Sequence, residues 1–301
     1  MVKRDTDNPH KRGGLGIKKL HDRLNLLLQR LLGIAQVTPY TKPMDSLTFL
    51  PPELPHWWQA ILIIVASFIG SAMTAAFSIG GGLLLIAVIS TLLPAPAVVP
   101  VHGAMMVGSN AGRTGLLLKH VDWSIWLWFA AGAAIGGLIG AQIAVGLPGW
   151  LLRVAIASFI LFTQWGPKLK NFVMGPKGYA LAGAISTVLT LFVGASGPFM
   201  TTVIAKAQHL QRQGLIATTG ACMTLQHTVK VIIFALAGFA FAPWLPLIGA
   251  ALISGFAGTV LGTRLLGNMP EALFRKILKW LLTIMALWLL VLAATGFSFT
   301  G

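Results

Sequence analysis

The sequence predicts an all-α integral membrane protein made of two related halves, each with four or five membrane segments including a short half-helix after a glycine break. Three observations lead there. The chain is too apolar for a soluble surface, its apolar runs follow one another at span length, and its polar and glycine punctuation recurs. Of 301 residues, 56% are hydrophobic and only 10% charged, with a mean hydropathy of +0.81. A soluble domain carries about 25% charged residues. The 34 glycines and ten tryptophans suit membrane helices, where glycine permits close packing and tryptophan sits at the interface.

The segments are predicted at about 57–79, 81–93, 97–118, 124–146, 150–165, 178–195, 198–206, 214–239, 244–265 and 273–296. A full crossing needs about 20 apolar residues. Segments 81–93 and 198–206 are too short for that and are expected to be half-helices or re-entrant pieces shielded by their neighbours.

Ahead of the segments lies a basic tail, residues 1–55, expected to be cytoplasmic, with nine Lys/Arg and five Asp/Glu. Ile17, Leu20, Leu24, Leu27, Leu28, Leu31 and Ile34 recur at helical spacing, with Lys18, Lys19, Arg23 and Arg30 on the other face. This is an amphipathic helix for an anionic membrane surface or for a partner protein. No secretory signal is expected at this polar start. Pro51, Pro52 and Pro55 close the tail, and Trp57 and Trp58 are interfacial anchors. The formal net charge of +15 fits positive loops on the cytoplasmic side of a plasma membrane rather than nucleic-acid binding. The single cysteine, Cys222, excludes a disulfide framework and multi-cysteine metal sites.

The permease domain, 56–301, is expected to divide into repeats at about 57–166 and 177–296. A shift of 117 lays Gly103-Ala104-Met105-Met106 on Gly220-Ala221-Cys222-Met223, and Arg113 on Lys230. A shift of 122 lays Gly136, Gly140, Pro148 and Arg153 on Gly258, Gly262, Pro270 and Arg275. Near 115, Phe77 and Gly82 fall on Phe192 and Gly197. Repeated halves with interrupted helices are the architecture of secondary transporters, whose sites lie between the halves. Crossing half-helices would make the halves inverted, and re-entrant ones would make them parallel. Lys168, Lys170 and Lys177 favour one scheme, while Arg275, Lys276 and Lys279 favour the other.

The acids are Asp5, Asp7, Asp22, Asp45, Glu53, Asp122 and Glu271, all outside the predicted spans. A cation pathway is therefore disfavoured, because a bare cation in low dielectric needs a counter-charge. Arg113 and Lys230, by contrast, lie inside apolar segments at matching places. With no carboxylate to pair them, a small anionic substrate is the natural counter-ion. Asn110 and Ser109 accompany Arg113, Gln226 and His227 accompany Lys230, and His102 opens the third segment. Their amide, hydroxyl and imidazole groups can donate to oxyanion oxygens, and a histidine can carry a proton. The breaks Gly80-Gly81-Gly82 and Gly194–Pro198, the latter including Gly197, would expose backbone N–H groups at helix N-termini, where partial positive charge favours an anion. No cofactor or metal is expected. A membrane enzyme would need a cluster of His, Asp, Glu or Cys, and only scattered histidines are present. A membrane scaffold with a recruiting tail is the remaining alternative.

Phe77-Ser78-Ile79-Gly80-Gly81-Gly82, Pro94, Pro100 and Gly108-Ser109-Asn110-Ala111-Gly112-Arg113, echoed by Gly194–Pro198, Gly220–Lys230 and Gly258–Gly262, resemble the sulfite exporter TauE/SafE family over roughly 57–296. The resemblance implies a permease for sulfite, sulfoacetate or other organosulfonates in a bacterial inner membrane. The basic tail and the looser second break depart from the pattern. Membrane lipids are expected neighbours, and a homo-oligomer is left open.

Overall fold

The computed structural model describes Leu54 and residues 56–77, 80–144, 148–167, 174–265 and 270–297. The amphipathic helix expected in the tail lies outside them. Ten α-helices and two short 3₁₀ turns follow, with no strand among the described residues. We number the helices α1 (Trp57–Phe77), α2 (Gly81–Leu92), α3 (Ala95–Leu116), α4 (Trp123–Ala144), α5 (Gly149–Trp165), α6 (Pro176–Val193), α7 (Gly197–Ile204), α8 (Arg212–Leu236), α9 (Leu245–Leu265) and α10 (Glu271–Thr295). Each falls within a few residues of a predicted segment, because glycine, proline or polar residues bound each apolar run. Six of them, α1, α4, α6, α8, α9 and α10, are long and apolar enough to cross a membrane. At 1.5 Å per residue, the 12 residues of α2 and eight of α7 reach only about 18 and 12 Å, short of a hydrocarbon core of about 30 Å.

Polarity is arranged as a bilayer demands. Ile135, Leu138, Ile253, Phe256, Ile284 and Leu287 are exposed on the outside, while Gln59, Ser186, Gln226, His227 and Lys230 are buried. Helices are joined by small residues, since lipid supplies no hydrophobic drive between them. Along α4 and α6, a Cβ on Gly132 would lie 1.7 Å from the Ala180 carbonyl oxygen, and one on Gly136 2.3 Å from that of Ala184. Residue numbers rise together, so α4 and α6 run parallel. The same contact recurs between α9 and α1. Ser254 Oγ donates to the Ile64 carbonyl at 2.9 Å, and a Cβ on Gly258 would meet the Phe68 carbonyl oxygen at 2.2 Å.

Two further pairs run antiparallel. In α3 and α8, Gly103 faces Lys230 and Gly220 faces Thr114. In α5 and α10, Arg153 donates to the Phe297 carbonyl at 3.1 Å, beyond one end of α10, and Trp165 Nε1 donates to Thr283 Oγ1 at 2.9 Å nearer the other.

Outside the spans, Asp122 ties three elements together. Its Oδ1 accepts the Ile125 amide at 3.0 Å, capping α4, and its own amide donates to Thr218 Oγ1 of α8 at 2.9 Å. Oδ2 meets His209 Nε2 at 2.7 Å. Partial burial pushes the carboxyl up, but the hydrogen bonds from His209 and the Ile125 amide outweigh it, so the group titrates below its ordinary value. A carboxyl depressed in the folded state stabilises at neutral pH, and that stabilisation disappears as pH falls through the folded value, below about pH 4. Asp122→Asn is accordingly expected to lower Tm at pH 7, with the deficit shrinking below about pH 4 in a pH series of thermal melts.

Candidate functional site

A cavity of about 60 Å³ lies between α1, α2 and α3 on one side and α7 and α8 on the other. With about 10–15 Å³ needed per water, the space fits about four waters or one small oxyanion. Its walls follow from the two breaks.

In the first break, Gly80 adopts φ +95° before α2. A Cβ there would sit 2.5 Å from Leu278 as well as in the left-handed region. Gly81 then presses on α1, where a Cβ would reach 2.0 Å from the Gly70 carbonyl oxygen, and its amide donates to Thr74 Oγ1 at 3.1 Å. Gly82 and Leu83, the next two residues of α2, line the cavity, and their amides have no acceptor within the helix. In the second break, Gly194 ends α6 at φ +80°, and Ala195, Gly197 and Pro198 line the opposite wall at the start of α7.

Nine of the sequence-derived candidates line this one space: Gly80, Gly81, Gly82, His102, Ser109, Asn110, Arg113, Gly197 and His227. Arg113 Nε is buried with no hydrogen-bond partner among the described residues, as are Thr219 Oγ1, His102 Nδ1 and both ring nitrogens of His227. Unpaired buried donors of this kind are uncommon and costly. His102 Nε2 lies 3.1 Å from the Gly82 carbonyl oxygen, and its ring stands edge-on to that of His227 with centroids 5.9 Å apart. Asn110 spends one amide hydrogen within its own helix, on the Met106 carbonyl at 2.8 Å. Among the described residues, Arg113 is the only Lys or Arg lining the cavity, and no carboxylate lines it.

Two candidates lie elsewhere. Lys230 is fully buried, but its stem passes over Gly103 and its Nζ donates to the Gly194 carbonyl at 2.9 Å. The Gly194 carbonyl, at the C-terminal end of α6, gives this ammonium a partner. Gln226 is equally buried and binds both Ser186 and Ser196, which are themselves 3.0 Å apart. This triad moors the second break to α6 and α8. Gln226→Leu would leave the two hydroxyls only each other and one of their protons without an acceptor, so a loss of about 1–3 kcal/mol is expected, read as a lower Tm.

Sequence reasoning missed Ser67, Ser71, Thr74, Thr201 and Thr219, all cavity-lining. Serine and threonine are ordinary in membrane helices, and only the fold shows which of them face inward.

Helical architecture, apolar exterior and a small polar interior site define a multi-pass membrane protein with room for a small solute. The chain belongs to the sulfite exporter TauE/SafE family, whose profile matches residues 62–289, and so to a family of membrane transporters. No curated protein and no solved structure gives a significant match.

Proposed function

We propose that the protein carries a small sulfur oxyanion, sulfite or a short organosulfonate, through the cavity at Arg113. The observation that supports this best is the lining itself: among the described residues it holds one guanidinium whose Nε–H has no partner, hydroxyl and imidazole groups without partners, and no carboxylate. An oxyanion supplies the acceptors these donors lack. The amides of Gly82 and Leu83 at the start of α2 add backbone donors at the positive end of a helix. Asn110 retains a second amide hydrogen, Ser109 contributes its hydroxyl, and Gly197 keeps the second break open to the site. Lys230 and Gln226 act behind it, by holding the second break in place.

The same reading takes α1–α5 and α6–α10 as inverted repeats. The parallel pairing of α4 with α6 is matched by that of α9 with α1. The corresponding helices α3 and α8 run antiparallel, as do α5 and α10, which is what a two-fold axis in the membrane plane requires. The solute lies where such halves meet, and rocking of one against the other exposes it to each side in turn. The protein then resides in a plasma membrane with its basic tail in the cytoplasm, following the positive-inside rule.

The test is uptake by proteoliposomes of radiolabelled sulfite and of 2-hydroxyethanesulfonate, with sodium as the cation control. Saturable uptake of at least one anion, absent for sodium, is expected. Anion uptake no faster than in protein-free vesicles would overturn the proposal.

A further inference from the structure

We propose that His227 carries a proton with the transported anion, making the protein a proton–anion symporter. This inference rests on the anion reading above and adds the coupling ion to it.

The imidazole of His227 lines the cavity from α8, is fully buried, and has no partner on either ring nitrogen among the described residues. A neutral ring presents one N–H and one bare nitrogen. Among the described residues neither is satisfied, so the ring sits in an environment built for something else. A protonated ring presents two N–H groups and a positive charge, and sulfite or a sulfonate brings three oxygens and the opposite charge. Proton and anion together satisfy what neither satisfies alone.

The charged and titratable groups around the ring reinforce this linkage. From α3 come His102, edge-on at 5.9 Å, and Arg113, which shares the cavity wall. From α8 itself comes Lys230, one turn on, with its Nζ against the Gly194 carbonyl. The parts of α1, α2 and α7 that line the cavity bring hydroxyls and glycines but no ionisable group. Of the neighbouring helices, α6 brings Thr190 to Lys230 Nζ, and α4 packs Gly137 against Val229, Ile233 and Thr187, none of them charged.

An imidazolium in the empty site would thus be a further cation beside Arg113 and Lys230, with no acid to offset it. Once the anion is present, the extra positive charge is compensated. By linkage, the proton strengthens anion binding by the same factor that the anion strengthens proton binding. The ring protonated without anion, a third uncompensated cation beside Arg113 and Lys230, is the least favourable state in a low-dielectric core, so the proton crosses with the anion rather than alone. His102 is the poorer carrier, since its Nε2 is already engaged by the Gly82 carbonyl.

The experiment uses the full chain in vesicles clamped at zero voltage with valinomycin and equal potassium. A pH step, acid outside, is imposed with equal anion on both sides. Sulfite, corrected for leak through protein-free vesicles, and 2-hydroxyethanesulfonate, which does not titrate near neutrality, are the probes. One proton per anion makes one pH unit support up to about tenfold accumulation, the equivalent of about 1.4 kcal/mol.

Wild type is expected to accumulate anion above equilibrium. Whatever flux His227→Gln retains is expected to ignore the pH step. Wild-type flux that equilibrates without accumulation would overturn the proton step while leaving anion transport standing, and this result decides the matter even if the variant does not fold. A His227→Gln protein that accumulates like wild type would equally overturn it. Absence of any anion flux would sink the transport reading first and this inference with it.

Discussion

Arg113→Gln should cut anion uptake by on the order of 100-fold while leaving Tm near wild type. Hydrogen bonds to a charged partner contribute about 1.5–3 kcal/mol, or about 10- to 150-fold in affinity. Arg113 is the one Lys or Arg in the cavity wall, and its Nε has no protein acceptor among the described residues to lose. On the proposed reading, removing it therefore takes away the anion's partner without stranding a neighbour. Arg113→Lys should recover part of the loss, because an ammonium keeps the charge but not the planar fork. Lys230 makes the contrast. Its Nζ holds the Gly194 carbonyl, so Lys230→Met should act first on the seating of the second break and only through it on transport. Uptake kinetics and thermal melts on the same preparations separate the two behaviours. An Arg113→Gln protein with wild-type uptake would remove the guanidinium from the site.

Gly132→Leu should leave little folded protein. A Cβ at this position would stand 1.7 Å from the Ala180 carbonyl oxygen, less than half of an ordinary contact of about 3.5–4.0 Å. The obstacle is backbone, so no rotamer change relieves it, and α4 must move away from α6 along its length. Gly136 and Gly183 depend on the same closeness, with a Cβ on each within 2.3 Å of a carbonyl oxygen of the opposite helix. Overpacking usually costs about 1–3 kcal/mol where side chains can yield, and here they cannot. Size-exclusion profiles of the detergent-extracted protein should shift to aggregate. A control at Gly115, where an added Cβ meets nothing within 4 Å, should leave Gly115→Ala monodisperse.

The helices were legible in the sequence because each is an apolar run ended by Gly, Pro or a polar pair, and that punctuation survives without tertiary information. Much of the cavity was legible for a related reason. Arg113, Asn110, His102 and His227 are conspicuous in an apolar setting, and the glycine breaks mark where helices stop. Lys230 was equally conspicuous, yet its role was hidden. It depends on Gly103, in α3 and more than a hundred residues earlier, leaving space for the stem, and on the Gly194 carbonyl lying at its tip. No local pattern encodes either. The direction of the helix pairs was hidden as well. Loop charges pointed both ways, whereas the Gly132–Ala180 and Ser254–Ile64 contacts fix which helices run together. The hydroxyls of Ser67, Ser71 and Thr219 carried no signal until the helices bearing them were oriented.

The most direct measurement is a crystal structure of the protein grown with selenite, the selenium counterpart of sulfite, with data collected at the selenium edge. A single anomalous peak is expected inside the cavity, within hydrogen-bonding reach of the Arg113 guanidinium and the His227 ring. A cavity holding only water, with selenium confined to the surface or spread among exposed lysines, would contradict the assignment of this site to an oxyanion.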